Sequence, residues 1–171
     1  SSICGSYLPD WRAGRDYRST ASANKKSGGG VLLDLSHELD YLQWIAGDIT
    51  VSHFYNEKVS DLKIDTDDLL IAIGETSGGA KFSINLNYFT RSPIRKLIID
   101  GEGLSIQADL ITNKLRIKLN EKDHDYVWSN LEKNFTYRSQ HEAIINNKFS
   151  DICTFDEGIR TMKIIESIRS Y

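Results

Sequence analysis

Apolar and polar positions follow two different periods along this chain. Between Val31 and Ala46 the period is helical. Leu32, Leu35, Leu39, Leu42 and Ala46 fall within roughly 80° of one another when each residue is turned by about 100°. The pattern predicts a helix over 31–46, opened by Gly28–Gly30 and stopped at Gly47. Beyond Gly47 the period drops to two. Residues 49–59 read as a strand. Residues 67–90 read as a hairpin turned at Ser77–Gly79, whose second arm alternates Phe82, Ile84, Leu86 and Tyr88 with Lys81, Ser83, Asn85 and Asn87. Residues 95–110 repeat that arrangement around Gly101–Gly103, and 114–120 and 125–129 add two short strands. Helical spacing returns at 136–148 and 155–169. The last helix has a capping box from Thr154 to Glu157 and an apolar stripe of Phe155, Ile159, Met162, Ile165 and Ile168.

Consecutive strands joined by short turns pair antiparallel, and helices segregated from strands cover one face of an open sheet. The expected class is α+β, a single domain over residues 1–171. The other sheet face becomes a candidate subunit interface if it carries apolar residues. Residues 9–30, "PDWRAGRDYRSTASANKKSGGG", hold four glycines and five basic residues, and their Trp11 and Tyr17 point to a packed, functional loop. The chain opens in what reads as the middle of a strand, without Met, which predicts a piece of a longer protein.

Composition removes several classes. The 171 residues are 40% hydrophobic and 26% charged, ordinary for a globular domain, and the net charge of -3 leaves no basic footprint for nucleic acid. No apolar run approaches the roughly 20 residues of a membrane span, and the N-terminus does not read as a signal peptide. Cys4 and Cys153 lack metal-ligand spacing and a disulfide framework, so no metal site is expected. They read as small buried hydrophobes in a reducing cytoplasm.

The helix at 31–46 carries candidate chemistry opposite its leucines. Asp34, His37, Tyr41 and Trp44 again fall within roughly 80° of one another. A histidine titrates near neutral pH, and an aspartate one turn away can fix its tautomer. Two readings stand: an active-site wall, or a half-buried histidine beside a carboxylate favoured by the helix dipole. Gly28–Gly30 also have two readings. Gly29 and Gly30 can leave backbone N–H groups open to an anion or cofactor, or they can simply allow tight packing. In the loop, Arg12, Arg15 and Arg18 beside Trp11 and Tyr17 suit a carboxylate or phosphate, against a solvated basic loop balanced by Asp10 and Asp16. His53, His124 and His141 are placed in a strand, a turn and a helix, without a chemical role.

Three stretches in order, "GSYLPDWRAGRDYR", "GGGVLLDLSHELDYLQWIAGD" and "FDEGIRTMKIIESI", resemble the C-terminal domain of the Gfo/Idh/MocA oxidoreductases. The resemblance implies an open, mostly antiparallel mixed sheet with helices on one face, of the dihydrodipicolinate reductase-like type. It implies an N-terminal Rossmann domain that binds NAD or NADP and bears a Glu-Lys-Pro motif, absent from these residues. It further implies a sugar, sugar derivative or cyclitol as substrate, and assembly into a homo-oligomer through the open sheet face. The family's helix motif places an aspartate, a histidine four residues on, and an aspartate three after that. His37 and Asp40 match the last two, while Asp34 stands one residue short.

The resemblance implies His37 as acid/base, and Asp34, three residues before it on the predicted helix, is close enough to orient it. Trp11, Arg12, Tyr17, Arg18, Asp40 and Tyr41 are then the substrate contacts, with an acidic or nucleotide-linked sugar suggested by the arginines. The dinucleotide is held mainly by the absent domain, with Gly29 and Gly30 at most touching it. The fragment alone is expected to be inactive. A metabolite-sensing relative without turnover and a pure oligomerisation module are the other readings.

Overall fold

The alternating segments form one eight-stranded sheet, which a computed structural model describes for residues 1–132 and 134–170. The strands are Ser2–Gly5 (β1), Ile49–Glu57 (β2), Leu69–Thr76 (β3), Lys81–Asn87 (β4), Ile94–Gly101 (β5), Leu104–Asp109 (β6), Lys114–Leu119 (β7) and Lys122–Val127 (β8). Their order is β2-β3-β4-β1-β5-β6-β7-β8. β1 runs parallel to β4 and antiparallel to β5, and every other neighbouring pair is antiparallel. A parallel pair needs a long crossover. Here the loop, the first helices and β2–β3 supply it, so the first strand ends up at the centre of the sheet.

Register decides which face is dry. Ser2 lies opposite Ile84 and Leu97, and Cys4 opposite Leu86 and Arg95. That face, with Leu70, Ala72 and Phe82, carries the core. Helices Val31–Asp34 (α1), His37–Ala46 (α2) and Phe155–Arg169 (α4) cover it over β1–β4. Leu32, Leu35, Leu39 and Leu42 are all buried in it, as their spacing predicts. Phe135–Ile145 (α3) follows the last strand. The opposite face leaves Ile3, Tyr55, Ile71, Ile73 and Ile98 exposed.

Four local expectations are corrected. The helix over 31–46 is two helices, because Leu35 leaves helical geometry at φ -103°, ψ 21° and the chain restarts with short bonds from Glu38 N to Leu35 O and Leu39 N to Ser36 O. The last strand is shifted to Lys122–Val127, which puts His124 opposite Ile117 in the sheet and not in a turn. The stripe on α4 is buried only at Ile165 and Ile168, while Phe155, Ile159 and Met162 are exposed. A polar contact, not an apolar one, docks the middle of α4: Gln43 Nε2 donates to Thr161 Oγ1 at 2.8 Å, and Thr161 is buried there. Cys153 is exposed, and Cys4 alone fits the buried-hydrophobe reading.

The packing gives a direct expectation. Leu39→Ala, at a fully buried position, should lower unfolding free energy by roughly 2–5 kcal/mol. Trp44→Ala, on the exposed side of the same helix, should stay within about 0.5 kcal/mol of the parent. Urea unfolding of both variants checks the contrast.

Candidate functional site

α2 enters over β1 and β5, and its second residue is a glutamate facing inward. Glu38 is 0% exposed. An isolated carboxylate in that position is costly, so its oxygens must be occupied. They are. Oε1 accepts from Arg95 Nε at 2.7 Å and lies 3.3 Å from His37 Nε2. Oε2 accepts from Tyr41 Oη at 2.7 Å and from Ser2 Oγ at 3.4 Å, and the two hydroxyls are themselves 2.5 Å apart. Burial pushes the carboxyl up, but hydrogen bonds from His37 and Tyr41 and the charge of Arg95 outweigh it, and the net pKa lies below the ordinary value. Cys4, below the same carboxylate, is pushed up to about 11 by burial and by Glu38, so it stays a thiol.

His37 sits at the rim of this cluster, with its side chain 50% exposed. It opens into a cleft of about 860 Å³, lined also by Arg95 and by Gln140, Glu142, Asn146 and Lys148 of α3 and the turn after it. The volume is in the range of small-molecule sites, and the lining is polar enough for a hydroxylated ligand. With Nε2 turned toward Glu38, Nδ1 is the nitrogen left for the cleft. A carboxylate that accepts from Nε2–H keeps Nδ1 unprotonated in the neutral ring, which is the form a general base needs.

Asp34 does not orient His37. The break at Leu35 puts the two on separate helices, and Asp34 Oδ2 accepts from Tyr88 Oη at 2.7 Å. Tyr88 is fully buried, so its hydroxyl needs an acceptor, and Asp34 supplies one. Burial and then Asp34 push the Tyr88 phenol well above its ordinary value. Asp40 lies farther along α2, in a second cleft of about 770 Å³ that Tyr41 also lines. It accepts from Thr161 Oγ1 at 3.3 Å and from Cys153 Sγ at 3.4 Å. Ile152 and Cys153 line both clefts.

The loop residues stand apart from His37. Trp11 packs edge-on against Tyr88 at 5.2 Å and donates Nε1–H to Ser6 Oγ. Tyr17 Oη accepts from Lys63 N at 3.1 Å. Arg18 pairs with Asp16 at 2.7 Å, the balanced reading of that loop, and Arg12 is exposed. Of the two readings of the glycines, tight packing is the one found. A Cβ on Gly29 would lie 2.1 Å from Ala21 O, and Gly30, at φ +120°, abuts the Asp67 carboxylate. Asp67 already accepts from Leu32 N, and its backbone carbonyl from Val31 N, so the opening of α1 holds this internal anion and not a cofactor.

Glu38 and Arg95 were missed by sequence reasoning. A signal existed: Glu38 falls about 40° from Leu42 on the helical wheel, at the edge of the leucine stripe. Arg95 gave none, because its strand partner Cys4 lies far away in sequence.

A family model described as "Oxidoreductase family, C-terminal alpha/beta domain", of the GFO/IDH/MocA group, matches residues 10–170. The chain belongs to the Gfo/Idh/MocA oxidoreductase family. Solved structures with the same fold include UDP-N-acetylglucosamine 3-dehydrogenase GnnA from Acidithiobacillus ferrooxidans, at 17% identity and TM-score 0.73, covering 99% of this chain and 51% of that one. The aldose-aldose oxidoreductase from Caulobacter crescentus, complexed with glycerol, gives 17% identity, TM-score 0.75, and 99% and 52% coverage. Levoglucosan dehydrogenase in complex with NADH gives 16% identity, TM-score 0.61, and 75% and 38% coverage. The Gfo/Idh/MocA chain described here thus spans about half the length of the first two structures it matches. No protein of curated function matches it.

The Glu38 cluster sets a pH dependence. Its folded pKa is depressed, so its contribution to stability is present above the unfolded value near 4.5 and is lost as pH falls through the lower folded value. Parent stability should therefore drop below about pH 4.5, and Glu38→Gln should flatten that segment while lowering stability at neutral pH by roughly 3–5 kcal/mol. Unfolding midpoints from pH 3 to pH 7, on the order of five points, check both effects.

Proposed function

We propose that this domain is the substrate-binding half of an NAD(P)-dependent oxidoreductase acting on a hydroxyl or carbonyl of a sugar, sugar derivative or cyclitol. The observation that carries the reading is His37: half-exposed in a polar cleft, with Nε2 held by a buried carboxylate, in a domain of the Gfo/Idh/MocA family. Two of the similar structures are named as dehydrogenases of UDP-N-acetylglucosamine and levoglucosan, and the latter was solved with NADH. His37 takes the hydroxyl proton at Nδ1 during oxidation, or returns it during reduction. The cleft orients the sugar, which can supply several kcal/mol of the barrier.

The nicotinamide, when bound, supplies the hydride acceptor or donor. Gly29 and Gly30 do not contribute to its dinucleotide site, because both are packed shut and Asp67 fills the opening of α1. A Rossmann domain of the intact protein holds it, and this domain alone is inactive. The setting is the reducing cytoplasm, which suits the two free thiols. A second reading, a sugar-sensing relative without turnover, draws on the Asp34–Tyr88 bond, which takes that carboxylate away from His37.

A second copy of the chain covers the open sheet face, where Ile71 and Ile73 of β3 and Ile3 and Ile98 of β1 and β5 are exposed on either side of Ser83 and Asn85 of β4. Ile71→Lys with Ile73→Lys should shift sedimentation of the intact protein to a smaller species, and an unchanged sedimentation coefficient would rule the interface out. For the site, His37→Ala in the intact protein should lower kcat by about 10²–10⁴-fold and leave cofactor binding and the melting temperature close to the parent. Turnover unaffected by this change would end the acid/base assignment.

A further inference from the structure

The His37 cleft has a second functional group that neither the family match nor the similar structures assign. Arg95 reaches it from β5, with its side chain 36% exposed. A guanidinium carries five N–H donors in a planar fork. Glu38 takes the one on Nε at 2.7 Å, and among the described residues the two terminal nitrogens have no hydrogen-bond acceptor. Arg95 is thus anchored through Nε by a fully buried carboxylate, and its side chain lines the cleft. Its planar end is held in place before any ligand arrives, so little side-chain freedom is left to lose on binding. Lys148 lines the same cleft and Glu142 the α3 wall, while Gln140 and Asn146 add neutral donors.

We propose that Arg95, with Lys148, forms a subsite for an anionic substituent of the substrate, a sugar carboxylate or phosphate, beside His37. The proposal deepens the sugar-oxidoreductase reading and rests on it. It moves the anion contact from the arginines of the 12–18 loop, where Arg18 is already neutralised by Asp16, to a preorganised fork in the cleft that holds the acid/base candidate. The anion pairs bidentately with the Nη atoms, while Nε stays with Glu38. Glu38 is therefore a positioning residue for both partners, holding the histidine ring and the arginine plane through the same oxygen.

The test is calorimetric titration of the intact protein, carrying its bound dinucleotide, with D-glucuronate, D-glucose 6-phosphate and D-glucose, followed by turnover assays with the same sugars. At least one of the two acids should bind about tenfold or more tightly than glucose, as a charge-assisted fork implies. Whichever acid binds better distinguishes carboxylate from phosphate. Arg95→Lys keeps the charge opposite Glu38 but loses the fork, and should collapse the preference for the acid. Lys148→Gln, at an exposed position, should reduce it by a few fold without disturbing the fold. Equal binding of glucose and both acids overturns the subsite. So does a preference that survives both substitutions, or failure of both acids to bind. The two readings fail separately. Acid-selective binding without oxidation or reduction of any sugar ends the dehydrogenase reading and keeps the subsite. Turnover of neutral sugars without acid preference does the reverse.

Discussion

A single buried carboxylate fixes how this domain is assembled around its cleft. Glu38 is removed from water, where an ionised group is stable only if its oxygens are fully engaged. The groups that engage it come from three separate elements: Ser2 on β1, Arg95 on β5, and His37 and Tyr41 on α2 itself. Moving any of these elements strands a charge. The contact therefore sets the position of α2 over the sheet with a directionality that the leucines, which bury area without preferred angles, cannot provide. The break at Leu35–Ser36 belongs to the same arrangement. It separates α1, whose opening is pinned by Asp67, from α2, whose opening is pinned by Glu38.

Much of the fold was legible because burial on one face imposes a period. Phe82, Ile84, Leu86 and Tyr88 alternate and are all buried, and the leucines of 31–46 sit where their angles place them. The capping box at Thr154 and Glu157 is present, since it depends on four consecutive residues and nothing else. Patterns that depend on distant partners read less well. The apolar stripe of α4 is half exposed because the helix is docked through Thr161 and Gln43, a contact separated by more than a hundred residues. The last strand slipped by three residues because β8 is exposed along its whole length, so no face forces its register.

The site was half legible for the same reason. His37 stands out by residue type, and the structure places it at the rim of a cleft. Its partner was assigned to Asp34 by treating 31–46 as one ideal helix, and a single residue out of helical geometry defeats that inference. Asp34 is drawn instead to Tyr88, a buried phenol that periodicity identified as core but whose hydroxyl demand periodicity does not register. Arg95 is beyond any local signal. Its meaning comes from β1 lying beside β5, a pairing across almost a hundred residues.

The histidine at the cleft and the arginine beside it are not independent. His37 and Arg95 converge on the same Oε1 atom of Glu38. A shift of either side chain therefore moves the acceptor of the other. The position of the histidine ring and that of the arginine plane are thus both set by one buried oxygen, and the contact that docks α2 on β1 and β5 is the same contact that orients the two side chains at the cleft.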